Sequence, residues 1–260
     1  MWKSIGRQGV GASVLAAGFL VCAPAQAAPV CPETVRIAVI DFAFPPYMFG
    51  AGGEFANPPG KHVEWVHAAI EASRCKPRVE LVRLPVARMR MELGAGKLDL
   101  LVAGSDNPKI RAIAAMPLRD GKPDPGMRVQ SVEYGLYVLR GQTEVQWDGR
   151  TLTGPPDFKV GVSPLVAASS FAREQGWKTE LGQTPAGALK MLVGGRMPVV
   201  LTSYTAYMSL PEAERSKIQK LDPPALTTDY YPVANKTFHA TYTDFVEKFW
   251  RDLVKAARAD

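Results

Sequence analysis

The spacing of apolar positions along this chain switches repeatedly between a strand period and a helix period, which predicts an alternating α/β order. Val35 to Ile40 and Val79 to Val82 are apolar-rich stretches of strand length. Between them, His62 to Ser73 sets Val63, Val66, Ala69 and Ile70 on one helical face. From Leu84 onward the pattern is densest. Val86, Met89 and Leu93 recur at helical spacing, and Gly94 and Gly96 stop the helix. Leu98 to Ala103 is then an apolar run of the kind a parallel sheet buries on both faces. It empties into the polar turn Gly104-Ser105-Asp106-Asn107-Pro108, and Arg111 follows one turn later. In open α/β sheets solutes bind beyond the carboxyl ends of strands, which makes Gly104, Asp106 and Arg111 candidate binding residues.

The same unit returns about one hundred residues on. Pro185 to Leu192 is helix-like, Gly194 and Gly195 end it, and Arg196 stands where Lys97 stood. Met197 to Thr202 is a second apolar strand, and Ser203-Tyr204 is its polar exit. Gly96 pairs with Gly195, Leu98 with Met197 and Gly104 with Ser203 without a gap. Two such units predict two similar lobes whose strand ends face one cleft. Ser203 and Tyr204 therefore join the candidates.

Three other stretches bear on that cleft. Pro45 and Pro46 hold Phe44 and Tyr47 on a rigid loop beyond the first strand, where the rings either stack on a ligand or pack against the following loop. Tyr134 to Leu139 reads as the strand that crosses into the second lobe, and Phe158 to Val162 as a strand within it. Ser163-Pro164 reads as the N-cap and first-turn proline of a helix, Leu165 to Gln175, whose free N–H groups aim at the cleft. Leu221-Asp222-Pro223-Pro224 reads as a surface turn, and Tyr230 to Val233 as the strand that rejoins the first sheet. An amphipathic helix, Tyr242 to Ala257, closes the chain, with Phe245, Phe249, Leu253 and Val254 on one face. His62 and His67 have no carboxylate or Cys at ligand spacing and read as surface residues.

Residues 1–27 have the organisation of a secretory signal: Lys3 and Arg7, an apolar segment Val10 to Val21, and the small-residue site Ala25-Gln26-Ala27. The expected product is exported and periplasmic. Cys22 leaves with that segment, so Cys31 and Cys75 remain as a pair in an oxidising compartment. Each lies shortly before one of the first two strands. If those strands are parallel neighbours, both thiols reach the same sheet edge and form a structural disulfide. Formal net charge is +6, and loss of Lys3 and Arg7 with a segment free of acids leaves +4. No basic run or nucleic-acid motif accompanies that excess, which argues against a nucleic-acid partner. The residue pattern also implies no cofactor and no metal site.

The order just described resembles the family 3 extracellular solute-binding proteins of ABC importers, a branch of the type II periplasmic binding fold. The motifs that carry the likeness are the aromatic-Pro-Pro-aromatic loop at Phe44 to Tyr47, Gly96-Lys97-Leu98-Asp99, the strand after it, and Arg111. The resemblance implies two doubly wound α/β lobes joined by a two-strand hinge, with 28–131 plus 228–260 as the first lobe and 132–227 as the second. It further implies a monomer that holds a small polar, carboxylate-bearing solute and docks transiently on an ABC permease in the inner membrane. Arg111 falls on the arginine that clamps a ligand carboxylate through a bidentate fork. Arg88 falls where the broader family often has an arginine; Arg90, two residues on, points to another helix face, so at least one of the two is a solvated charge.

The departures from that pattern concern the ligand. Asp106 and Pro108 replace hydroxyl residues, Ser203 replaces the Asp that meets an ammonium group, and Pro198 replaces the Asp at the start of that strand. Either Asp106 takes over the ammonium, or the ligand has none. Two other readings belong to the same scaffold. One is an exported dehydratase acting on a prephenate-like or arogenate-like acid, with Asp106 or one of the three histidines as general acid. The other is an accessory partner of a periplasmic quinoprotein dehydrogenase.

Overall fold

A computed structural model describes residues 1–2 and 30–260, so the expected signal segment beyond Trp2 lies outside the described residues. Three parallel strands form one half of the sheet: β1 (Thr34–Ile40), β2 (Arg78–Leu84) and β3 (Leu100–Ser105), with β1 in the middle. Helices α1 (Lys61–Ala72) and α2 (Val86–Gly94) make the crossovers, and α3 (Pro108–Ile113) follows β3. After the long strand β4 (Gln130–Leu139), β5 (Val160–Val162), β6 (Thr179–Leu181) and β7 (Val199–Ser203) repeat the arrangement, with β5 in the middle. Here the crossovers are α4 (Val166–Glu174) and α5 (Pro185–Val193).

The halves meet through two long strands. β4 runs antiparallel to β7, and β8 (Ile218–Asn235) runs antiparallel to β3. β4 and β8 also pair with each other, which gives one continuous order β6-β5-β7-β4-β8-β3-β1-β2. The molecule is thus an α/β protein of two lobes on a shared, curled sheet.

The internal repeat is geometric as well as sequential. Lys97 N and Leu98 N both donate to Glu92 O, and Arg196 N and Met197 N both donate to Met191 O. Gly96 and Gly195 adopt φ of 69° and 70°, the left-handed conformation that closes a helix at little cost only for glycine. Those closures take up the N–H groups of Leu98 and Met197. The strands consequently begin two residues later than the apolar runs suggest, at Leu100 and Val199. Both are buried almost throughout.

Leu221 to Pro224 is not a surface turn. It lies inside β8, where the pairing with β4 slips between Leu221 and Leu226. Pro223 and Pro224 have no N–H for a ladder, so the extra residues bulge out. Trp147 Nε1 fastens the bulge by donating to Pro223 O at 2.8 Å.

His62 also departs from its expected place. The buried face of α1 begins at His62 and continues through Trp65, Val66 and Ala69. His62 Nε2 lies 2.7 Å from Gln130 Oε1, across to β4. Burial lowers its pKa to about 4, although the Gln130 bond pulls the other way. A histidine whose folded pKa lies below the unfolded one of about 6.5 stabilises the fold in its neutral form. That contribution is complete above about pH 6.5 and is lost as pH falls toward about 4, a loss of roughly 3 kcal/mol. Melting temperatures of the wild type should fall across this window, and His62→Gln should flatten the fall. Superimposable pH profiles would remove His62 from the acid response.

Among the described residues, no helix is long and apolar enough to cross a membrane, and no cluster of His, Cys, Asp and Glu is disposed to hold a metal ion.

Candidate functional site

A cleft of about 1060 Å³ opens between the lobes, and its walls come from the carboxyl ends of strands on both sides. From the first lobe come Asp41 and Phe42 after β1, Pro85 before α2, and Ser105, Asp106 and Asn107 after β3. From the second come Pro164 after β5 and Gln183 and Thr184 before α5, while Leu226 and Thr228 of β8 form the part nearest the hinge. Pro85 and Thr184 occupy equivalent positions in the repeat: each is the N-cap residue of its helix, and each borders the cleft. Thr184 accepts a bond from Gly187 N through its hydroxyl, with Pro185 in the first turn. The hydroxyl-Pro cap expected at Ser163-Pro164 is therefore formed at Thr184-Pro185.

Helix α4 flanks the cleft lengthwise. Val166, Ser169, Ser170 and Arg173 recur at helical spacing and all line it. The helix begins after Leu165 and has no side-chain cap. Ser163 is fully buried behind it: its N–H donates to Leu201 O, and its Oγ has no partner among the described residues. Its sequence-based role as an N-cap does not hold, because Pro164 and Leu165 remain outside the helix.

The first-lobe candidates divide sharply. Asp106 is at the cleft wall, whereas Arg111 stands behind it. Arg111 Nε and Nη2 donate to the two carboxylate oxygens of Asp106 at 2.5 and 3.0 Å, and Nη1 donates to Gly121 O at 3.0 Å. The fork expected to grip a ligand carboxylate thus grips an internal one. Arg111 ties the cleft wall to the turn of a short hairpin, Leu118–Arg119 with Lys122–Pro123. Its pKa is raised, chiefly by the Asp106 bond.

Arg88 points away from the cleft and pairs with Glu92 four residues on, Nε to Oε1 at 2.7 Å. Arg90 is the arginine that faces the cleft, one turn after Val86 on the same side of α2. Gly104 lies against Val233 of β8, whose methyl carbons would sit 3.1 Å from an added Cβ. It borders a smaller apolar cavity of about 70 Å³ beside the cleft, with Ile40, Met89, Leu101 and Leu165. Val86, Arg90, Ser105 and Val166 border both spaces, so the two adjoin.

The aromatic candidates belong to packing. Phe44 is 3% exposed and stacks on Tyr47 at 5.7 Å, and Tyr47 continues into His62 and Trp65 at 5.4 and 5.9 Å. Burial raises the Tyr47 pKa. The two prolines turn these rings back onto α1 instead of forward into the cleft. Ser203 is buried and caps the short helix Tyr204–Met208 by accepting from Ala206 N at 3.2 Å. Tyr204 lies against Tyr207 with 47% of its surface exposed, outside the cleft lining.

Behind the cleft, Tyr134 and Tyr230 join β4 to β8 through hydroxyls 2.5 Å apart. Burial lifts the Tyr230 pKa to about 12, against the lowering effect of the Tyr134 bond, and lifts Tyr134 well above the ordinary value. Both phenols stay neutral in the physiological range. Asp41, Gln183 and Thr184 escaped the sequence reading, and Arg90 entered it only beside Arg88, without being assigned to the cleft. The repeat pointed to Thr184 through its equivalence with Pro85; for Arg90 the clue was the missing acid at helical spacing.

The Cys31–Cys75 disulfide forms, with Cα atoms 5.5 Å apart. Its strands are the expected parallel neighbours, with Thr34 opposite Arg78.

No protein-family model and no curated protein matches this sequence. Solved structures do match. A histidine kinase sensor domain with similarity to periplasmic binding proteins aligns at TM-score 0.66 and 18% identity, over 88% of this chain and 95% of that one. An ancestral arginine-binding protein bound to glutamine aligns at 0.64 and 15%, over 89% and 94%. An ancestral amino-acid-binding protein, a precursor of cyclohexadienyl dehydratase, aligns at 0.61 and 15%, over 88% and 91%. The chain therefore has a fold of the type II periplasmic binding protein kind. At these identities the likeness is one of architecture.

Proposed function

We propose that this protein is an exported, periplasmic solute-binding protein. It captures a small polar, carboxylate-bearing solute between its lobes, 28–131 plus 228–260 and 132–227, and presents the closed form to an ABC permease. The observation that carries the reading is the cleft itself, walled by strand ends of both lobes beside the strand pair that connects them. Bending at β4 and β8 would close it, coupling occupancy to shape without covalent chemistry. The solved structures of similar fold that bind amino acids support the same class of role.

Release of residues 1–27 on export and a monomeric product belong to the proposal. The test is a thermal-shift screen against amino acids, dicarboxylates, aromatic acids and opines, with small-angle scattering on any hit. A cognate solute at about one hundred times its Kd adds about 2.7 kcal/mol, or about 5–10 °C for a chain this long. Compaction should accompany the rise. A screen without any hit, together with native mass spectra free of co-purified solute, would refute the reading. The dehydratase alternative is weaker, because both carboxylate oxygens of Asp106 are already taken by the Arg111 guanidinium.

A further inference from the structure

We propose that Arg90, and not Arg111, anchors the ligand, and that the ligand is a monocarboxylate with a short aliphatic body lodged in the side cavity. The inference rests on the solute-binding reading and specifies its site.

The first support is a matter of which cations are already engaged. Arg111 is bonded to Asp106 and Gly121, and Arg88 to Glu92. Arg173, on the opposite wall, is exposed and bonds Ser170. Lys109 also lines the cleft without a partner among the described residues, but it is exposed and does not border the side cavity. Arg90 has no hydrogen-bond or ion-pair partner among the described residues, although it is only partly exposed. Its place in the helix explains this. Three and four residues away stand Ala87, Leu93, Val86 and Gly94, none of whose side chains can accept a hydrogen bond. A half-buried guanidinium with five donors is well suited to a carboxylate entering the cleft.

The second support is what lies next to it. Arg90 and Val86 border both the cleft and the apolar side cavity, so a carboxylate held at Arg90 has its body beside Ile40, Met89, Leu101 and Leu165. A space of about 70 Å³ is about half that of an apolar cavity that takes up benzene, at about 150 Å³, and so suits a short alkyl group better than an aromatic ring. Besides Arg90, the polar side chains lining it are Ser105 and Tyr230, whose hydroxyls are engaged by Asn107 and Tyr134. A second charge therefore meets no ionic partner there, which disfavours dicarboxylates and basic side chains in that position. Asp41 and Glu174 line the cleft but not the side cavity, and leave room for acids with or without an α-ammonium.

Calorimetric titration of the full mature protein with propionate, isovalerate and L-leucine tests the proposal, with the amino-acid, dicarboxylate, aromatic-acid and opine panel run alongside. Isovalerate or L-leucine should bind; binding of L-leucine alone would mean that the α-ammonium adds to the same anchor. Arg90→Gln should weaken binding by about ten- to a hundred-fold, the loss expected for charge-assisted bonds. Glutamine is a comparable helix former at a site without partners, so the unliganded melting temperature should not move. Arg111→Gln should retain affinity within about threefold of wild type, a span within measured context variation. Ala103→Val narrows the side cavity and should weaken isovalerate and L-leucine more than propionate. Another solute class binding with affinity unchanged in Arg90→Gln would overturn the inference and leave the solute-binding reading intact. Loss of affinity in Arg111→Gln but not in Arg90→Gln would overturn the assignment of the anchor. Equal effects of Ala103→Val on all three acids would overturn the assigned seat of the aliphatic body. Failure of every solute to bind would remove both readings together.

Discussion

Arg83→Met should destabilise the fold by about 4 kcal/mol and loosen one wall of the cleft. Arg83 is 4% exposed on β2 and has no ion-pair partner among the described residues. Its guanidinium donates instead to four carbonyls: Ile40 O at 3.3 Å, Phe49 O and Gly50 O at 3.0 Å each, and Glu54 O at 2.7 Å. Three of the four belong to the glycine-rich loop beyond Tyr47, whose Ala51 and Gly52 line the cleft. Phe55 covers the group from one side, its ring centre 5.9 Å away. Burial lowers the Arg83 pKa, with Asp41 opposing the shift, yet a guanidinium remains charged under any physiological condition. Each charge-assisted bond is worth about 1.5–3 kcal/mol, and carbonyls near the surface regain water when it goes, so the sum is smaller than four full bonds. Lysine has one compact ammonium and cannot span four acceptors, so Arg83→Lys should recover only part of the loss. Urea unfolding gives the stability, and limited proteolysis between Phe49 and Phe55 reports the loop. A variant within about 1 kcal/mol of wild type and equally resistant there would show that the loop holds itself.

Opening the Cys31–Cys75 disulfide is the second large effect. The bridge closes a segment with a sequence separation of 44 residues, for which the chain-entropy model gives about 4 kcal/mol. Melting should fall by about 8–16 °C in the double Cys→Ser variant, using about 2–4 °C per kcal/mol for a chain this long. The bridge acts where the sheet needs it: each cysteine stands three residues before a strand, and Thr34 pairs with Arg78 at the first rung of β1 and β2. β2 is also the outermost strand of its half, held by β1 alone within the sheet. A drop of less than about 3 °C would mean that the strand pair and α1 already supply the closure.

The lobed architecture was legible because it depends on local rules. Helix-period residues followed by Gly96 and Gly195, and then by unbroken apolar strands, specify a crossover and a buried parallel strand wherever they occur. Errors of two residues at the starts of β3 and β7 arose because closing bonds reach past the glycines, which apolar periodicity does not register. His62 was misplaced for a related reason. Its ring is polar, but its position continues the buried face of α1, and position decided the outcome.

The cleft was legible only in part. Sequence order located its walls at the strand ends and brought Gly104, Asp106 and the Arg88–Arg90 pair into consideration. It did not show which guanidinium was spent. Arg111 and Asp106 are five residues apart, and their bidentate pairing depends on how α3 folds back over the end of β3. Phe44 and Tyr47 turned inward because α1 offered His62 and Trp65 to pack against. The sequence by itself determined two repeated α/β units, the crossover strands and the disulfide, since periodicity, glycine stops and cysteine placement act over short ranges. Only the tertiary structure decided that Arg90, Asp41 and Thr184 share a space while Arg111 is held behind it, because a side chain is free or engaged according to neighbours that are brought together only when the chain closes.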